Sequence, residues 1–255
     1  MDVKYRLFDL FIHDLTPPLS VISISTASLL HKTAQFGPLT DKQKRIAERI
    51  LRNAHNAQTL LREMIEILRS EEGLFQKESF SIEKSLKESI LDALEVSDPQ
   101  IAEELYSAKD QEEFRTMLKP HGISFQVTGK YCHSPFCHDQ KKIRQVLRNL
   151  ISNALKYRQE KIILTASGET DLIVVVEDDG RGIPLEKQGT IFKRFVRLND
   201  KKQPEVPGLG LGLSGVKTLV EAMGGEITVV SQEGLGARFT VRIPPLHCVE
   251  NKSPG

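Results

Sequence analysis

The chain has little cysteine, almost no surplus charge and no long apolar run. Cys132, Cys137 and Cys248 are its only cysteines. Three cannot build a disulfide-dense scaffold, and an odd count suits a reducing compartment. With 35 Lys+Arg against 34 Asp+Glu the formal charge is +1, which leaves no nucleic-acid footprint. No stretch reaches the roughly 18 uncharged apolar residues that a membrane span needs. The first residues, MDVKYRLFDLFIHD, mix acids into the apolar positions and lack a signal-peptide cleavage region. Gly-Lys-Ser/Thr occurs nowhere, which excludes a Walker loop, and no protein-kinase catalytic loop is present. What remains is a 255-residue chain, 39% hydrophobic and 27% charged, long enough for one large core or two smaller ones. It is expected to be soluble and cytoplasmic, to insert no segment into a membrane and to bind no nucleic acid.

Hydrophobic spacing divides the chain. Phe8, Phe11, Leu15, Pro18/Leu19, Ile22, Thr26 and Leu29 recur at threes and fours, the spacing of one helical stripe. Phe36-Gly37-Pro38 breaks it. Thr40 with Gln43 three residues on predicts a capping box. A second stripe follows at Ile46, Ile50, Ala54, Ala57, Leu61, Met64/Ile65 and Leu68, ending near Glu71-Glu72-Gly73. Two helices of about 30 residues joined by a short turn make an antiparallel hairpin. One hairpin buries both stripes poorly, whereas two copies make a four-helix bundle, so a homodimer is expected.

The texture changes near Phe80. Ser81–Leu94 reads as helix, as do Lys141–Tyr157 and Leu213–Met223. Strands are predicted at Gly122–Thr128, Ile162–Ser167, Leu172–Glu177, Gly225–Ser231 and Ala237–Ile243. Residues 95–119 are acidic and read as helical, without a functional reading. The fold class is therefore α+β: the hairpin, residues 1–71; a linker, 72–79; an α/β sandwich, 80–247; and a loose tail, 248–255.

Four ordered segments carry chemistry. In Asn149-Leu-Ile-Ser-Asn153-Ala-Leu-Lys156-Tyr157 the two asparagines share a helix face. Their amide oxygens are hard neutral ligands suited to Mg²⁺ carrying phosphates, and Lys156 lies one turn further. Taken alone, the same residues suit a solvated face of a core helix. Next, an apolar strand runs into Asp178-Asp179-Gly180-Arg181-Gly182, where glycines admit close approach and a carboxylate can accept from an adenine amino group. Then Ile191-Phe192-Lys193-Arg194-Phe195-Val196-Arg197 precedes Asn199–Pro207, polar and aperiodic, which reads as a mobile lid. Finally Gly208-Leu-Gly210-Leu-Gly212-Leu213 opens a helix, a phosphate site by its free N–H groups and dipole.

Together these segments resemble the N, G1, F and G2 boxes of the GHKL ATP-binding superfamily, which includes type II topoisomerases, a heat-shock chaperone, mismatch-repair ATPases and sensor histidine kinases. Gly234-Leu-Gly236-Ala-Arg-Phe239 is similar to its further glycine motif. The resemblance implies a Bergerat-type ATP-binding domain. In it Asn153, with Asn149, holds Mg²⁺, Asp178 binds the adenine amino group, and Lys156, Tyr157 and Arg197 surround the nucleotide. Phe192, Leu213, Gly180, Gly182, Gly208, Gly210 and Gly212 shape pocket and lid. Hydrolysing members carry a glutamate four residues before the Mg²⁺ asparagine. Here that position is Asn149, and an amide cannot take a proton from water.

The acceptor is suggested upstream. Phe11-Ile-His13-Asp14-Leu-Thr16-Pro17-Pro18-Leu19 resembles the H box of bacterial two-component histidine kinases. Counting at 3.6 residues per turn sets His13 about 160–200° from Phe11 and Leu15, hence facing solvent. The resemblance implies that His13 takes the γ-phosphoryl of ATP, with Asp14 orienting the imidazole, and passes it to an aspartate of a response-regulator receiver domain. Two positions depart from the pattern. Thr16 replaces a basic residue, and Pro17 replaces the Thr/Asn that positions water for phosphatase activity. Two prolines also remove two donors mid-helix, so a kink near His13 is expected. A GHKL serine kinase or anti-sigma switch lacks such a hairpin; a degenerate scaffold that binds ATP without transfer is opposed by the intact N, G1 and G2 segments. Cys132, His133, Cys137 and His138 lie within seven residues, but their spacing is not that of a standard zinc finger.

Overall fold

The structure is a computed structural model that describes residues 3–70, 75–193 and 212–247. It divides into two compact units, Met1–Glu72 and Gly73–Gly255.

The first unit is helical: α1 (Val3–His31), α2 (Thr33–Phe36) and α3 (Asp41–Ser70). The capping box is present. Thr40 N–H donates to Gln43 Oε1 at 2.9 Å and Gln43 N–H to Thr40 Oγ1 at 3.3 Å. α1 is continuous through Pro17 and Pro18, and Ser20 Oγ donates to the Thr16 carbonyl at 2.9 Å. α1 and α3 pack side by side, and Gln58 Nε2 on α3 donates to Ser20 Oγ on α1 at 3.3 Å. Small residues fill this contact: Ser23, Thr26, Ala47 and Ala54 are buried. Much of the apolar stripe read from the sequence lies elsewhere. Leu15, Ile22, Leu29, Ile46 and Ile50 stay exposed.

The second unit is a sandwich. β1 (Glu78–Phe80) leads into α4 (Ile82–Ser97), α5 (Pro99–Tyr106) and α6 (Gln111–Leu118), then β2 (Ile123–Val127) and β3 (Phe136–His138). α7 (Gln140–Tyr157), β4 (Ile162–Ser167), β5 (Leu172–Asp178) and α8 (Leu185–Gln188) follow, then α9 (Gly212–Ala222), β6 (Glu226–Ser231) and β7 (Ala237–Ile243). The main sheet has the order β2-β4-β5-β7-β6. β2 and β4 are parallel and the other pairs antiparallel, so the sheet is mixed. Alternation along the strands puts Phe125, Leu164, Val174, Val176 and Val241 on the buried face. Leu86, Ile90, Ile143, Leu147, Leu150, Val216 and Val220 from the helices join them in one core.

Residues 95–119 are not one helix. Asp98 and Asp110 each accept a backbone N–H as N-caps, and Pro99 sits in the first turn of α5, so the segment splits into two short helices. Their buried residues Ala102, Leu105, Phe114 and Leu118 extend the core. β1 and β3 form a separate antiparallel ribbon. It ties the stretch entering this unit to the start of α7: Gln76 N–H donates to Asp139 Oδ2 at 3.0 Å. The other oxygen of the same carboxylate caps α7, accepting from Lys142 N–H at 3.1 Å.

Candidate functional site

α7 is the axis of the site. Its buried side carries Ile143, Val146, Leu147, Leu150, Ile151 and Ala154, which fixes its rotation against the sheet. Asn149 and Asn153 are partly exposed on the remaining surface, one turn apart. Neither carboxamide has a hydrogen-bond partner among the described residues. Lys156 and Tyr157 follow at the exposed C-terminal turn.

Two other segments reach that end of α7. α9 begins at Gly212, where an added Cβ would have Asn153 Nδ2 as its nearest neighbour, at 3.9 Å. The start of an 11-residue helix, with the positive end of its dipole, thus abuts an asparagine of α7. From the other side comes the loop after β5. A Cβ at Gly180 would lie 2.0 Å from the Tyr157 carbonyl oxygen and 2.8 Å from Asp178 Oδ1. Only glycine fits there. Gly182 has φ +70°, and a Cβ would lie 2.0 Å from the Gln232 carbonyl oxygen, so it seats the loop on the β6–β7 turn.

Asp178 ends β5. Its Oδ1 accepts from Gly180 N–H at 3.0 Å. Burial pushes its carboxyl above the usual carboxylate range; the Gly180 and Ala237 N–H groups pull it back and the Asp179 charge adds to the rise. A half-buried carboxylate with spare acceptor capacity suits an amino-group donor.

Residues 138–247 match the family of histidine kinase-, DNA gyrase B- and HSP90-like ATPases. The circadian input-output histidine kinase CikA of Thermosynechococcus vestitus (strain NIES-2133 / IAM M-273 / BP-1) is 31% identical over 255 residues, covering 96% of this chain and 32% of CikA. The chain belongs to the GHKL sensor histidine kinases. The kinase core spans about a third of the length of CikA. It is 41% identical over 111 residues to the sensor histidine kinase WalK of Bacillus subtilis (strain 168), covering 42% of this chain and 18% of WalK. In fold it is similar to full-length ShkA, solved in complex with AMPPNP, with a TM-score of 0.68 at 23% identity, over 95% of this chain and 46% of ShkA.

The kinase core brings together Asn149, Asn153, Tyr157, Asp178, Gly180, Gly182 and Gly212. Leu213 packs partly against the core. Phe192 meets Phe239 edge-on, with centroids 6.5 Å apart, and Lys217 Nζ lies 5.8 Å from its ring centroid. Arg197, Gly208 and Gly210 lie outside the described residues. His13 and Asp14 belong to α1 in the other unit, and the His13 side chain lies outside the described set, so its facing solvent stays an expectation. His121 is half-buried, its Nε2 3.6 Å from Glu104 Oε2. Cys132 is a free, exposed thiol; no group of three or more metal-ligating side chains occurs among the described residues. No helix among them is long and apolar enough to cross a membrane.

Sequence reasoning missed four contributors. Arg181 lies over the Tyr157 ring, 5.0 Å from its centroid. Ser231 Oγ accepts from Ile183 N–H at 2.8 Å, and Gln188 Nε2 donates to the Ile183 and Ser231 carbonyls at 2.9 and 2.7 Å, pinning the loop after Gly182 to β6. Asp179 accepts backbone N–H bonds from Gln159, Glu160 and Lys161. Nothing local marks the first three, and the Asp178-Asp179 pair reads in sequence only as one acidic strand end.

Proposed function

We propose that this kinase core is an ATP-dependent protein histidine kinase that phosphorylates His13 and passes the phosphoryl group to an aspartate of a response-regulator receiver domain. The observation that carries the reading is the convergence at one end of α7: Asn153 against the start of α9, and Tyr157 against the loop bearing Asp178. Residues far apart in the chain are held together there, each of a type that a Mg²⁺-nucleotide needs. Asp178 accepts the adenine amino group. The α9 N-terminus, with Gly208, Gly210 and Gly212, offers N–H groups to phosphate. Lys156, Tyr157 and Arg197 surround the nucleotide, with Phe192 and Leu213 at the base of the lid.

Asn149 and Asn153 fit a hard divalent cation: two neutral oxygens one helical turn apart, with no competing hydrogen bond among the described residues. Mg²⁺ held there neutralises phosphate charge. The neutral His13 imidazole attacks the γ-phosphorus through one nitrogen; the bond to the ADP oxygen breaks and ADP leaves. Asp14 takes the proton released by the other ring nitrogen. No glutamate at position 149 activates water, so hydrolysis does not compete. The exposed stripe of Leu15, Ile22, Leu29, Ile46 and Ile50 supports a homodimeric four-helix bundle. Pro17 lacks a donor for water, so phosphatase activity by that route is weak or absent.

Incubation with radiolabelled ATP and Mg²⁺ tests the reading. Acid-labile, base-stable label that disappears in His13→Gln is expected, while Asn153→Ala loses nucleotide binding and keeps the dimer. Acid-stable label on a partner, or none at all, overturns it. Mixing His13→Gln with Asn153→Ala chains decides whether transfer crosses the dimer, because label then requires two subunits.

A further inference from the structure

Asp178 and Asp179 are neighbours in sequence with opposite surroundings. The Asp179 carboxylate faces the turn between α7 and β4. Its Oδ1 accepts the N–H groups of Gln159, Glu160 and Lys161 at 3.0, 3.1 and 2.9 Å, and Oδ2 accepts from Glu160 at 3.2 Å. Burial pushes this carboxyl up, but the Lys161, Glu160 and Gln159 donors outweigh it and hold it below the usual carboxylate range. The turn is held from its other side as well. Arg158 Nη1 donates to the His121 carbonyl at 2.8 Å, and a Cβ at Gly122 would lie 1.9 Å from the Glu160 carbonyl oxygen.

That turn follows Tyr157 directly. One side of it is the last turn of α7, with Asn153, Lys156 and Tyr157. The other side, through Asp179, is the loop with Asp178 and Gly180. From this arrangement we infer that Asp179 is a positioning residue for nucleotide: it touches no substrate, but braces the turn so that the adenine-reading carboxylate of Asp178 stands at a fixed separation from the phosphate- and metal-facing side chains of α7. The inference rests on the nucleotide reading of the site. A brace of this kind acts on binding. Once nucleotide is bound, its own contacts hold the two sides together, so the transfer step loses little.

The test uses the full chain, comparing wild type with Asp179→Ala and Asp179→Asn. Mg-ATP affinity is measured by calorimetry, KM and kcat by His13 phosphorylation. Asp179→Ala is expected to raise Kd and KM on the order of tenfold, as the loss of charge-assisted hydrogen bonds implies, with kcat at saturating ATP within about twofold. Asp179→Asn keeps one oxygen for the three Oδ1 bonds and sets an NH₂ against Glu160 N–H, so it recovers to within about threefold of wild type. Equal ATP affinity in wild type and Asp179→Ala overturns the inference and leaves the proposed function standing. Equal losses in both variants, or a fall in kcat at unchanged KM, also overturn it, because they indicate a direct role of the charge. Wild type that binds no Mg-ATP fails earlier, at the proposed function itself. Should Asp179→Ala not fold, hydrogen exchange decides on Asp179→Asn: retained protection at residues 159–161 with the small KM change supports the brace, and lost protection with wild-type KM overturns it.

Discussion

The two units solve the problem of burial differently. In the sandwich, Leu86, Leu105, Leu164, Leu172 and Val241 are wholly buried in a contiguous core. Among the described side chains of the hairpin the buried ones are Ser23, Thr26, Ala47 and Ala54, while Val21 and Ile24 are 62% and 67% exposed and Leu15 and Ile50 45% and 43%. The hydrophobic effect scales with apolar area removed from water. The sandwich therefore closes on itself, whereas among the described residues of the hairpin several large apolar side chains stay exposed within a single chain. A domain that binds a nucleotide needs a rigid frame; a pair of helices with an unfinished apolar face needs a second surface.

The largest expected effect sharpens the first half of that comparison. Leu150 is 1% exposed on the inner side of α7 and belongs to the contiguous core. Leu150→Ala is expected to cost about 2–5 kcal/mol, read as a lower urea midpoint, with the association state untouched. A loss under about 1 kcal/mol would mean that the core yields, contrary to close packing. The second effect tests the hairpin. Ile22→Glu with Ile50→Glu sets charges in a face that a second copy should cover, and is expected to weaken dimerisation on the order of 100-fold, measured by sedimentation. The sandwich should unfold as before. A double variant that dimerises normally would mean that this face is not the interface.

A smaller effect lies at the ribbon. Asp139 serves two partners, capping α7 at Lys142 N–H and accepting from Gln76 N–H. Asp139→Ala is expected to cost about 1–2 kcal/mol, the worth of a lost N-cap, and to raise hydrogen exchange at Gln76 and Lys142 together. Exchange rising at only one of them would show that the carboxylate does not couple the two.

Legibility in the sequence followed the range of the physics involved. The capping box at Thr40 and Gln43 is local, and it folds as read. α7 runs from Gln140 where Lys141 was read, because the Asp139 cap starts it one residue earlier. The five long strands of the sheet carry a period and were visible; β1 and β3, three residues each, carry none. Residues 95–119 contain the signals that split them, Asp98-Pro99 and Asp110, hidden under their acidic composition. The hairpin shows the opposite failure. Its stripe is real in the sequence, but periodicity says only that a face is apolar, not which surface covers it. In the site, the candidate residues that meet at one end of α7 were legible because the chemistry of their side chains is intrinsic. Asp179 and Ser231 were not, because their partners at residues 159–161 and 183 are brought to them only by the fold.

The last effect separates the ribbon from both halves of the comparison, through pH. His138 is wholly buried between Phe75 and Phe136, whose ring centroids lie 5.4 and 5.9 Å away. Its Nδ1 accepts from Asp139 N–H at 2.8 Å, and its Nε2 is buried without a hydrogen-bond partner among the described residues. Burial lowers its pKa from 6.5 to about 4, against the opposing pull of the Asp139 charge. The folded state therefore binds fewer protons than the unfolded chain across that window, and stability rises with pH there. The contribution is complete above the unfolded value and is lost as pH falls towards the folded one. His138→Phe removes the titration and also the acceptor for Asp139 N–H, so it should cost about 1 kcal/mol at pH 7. Between pH 6.5 and 4 the variant should gain on the wild type, and urea midpoints at pH 7, 5.5 and 4.5 measure it. Parallel pH profiles for the two proteins would place the acid sensitivity of this unit elsewhere.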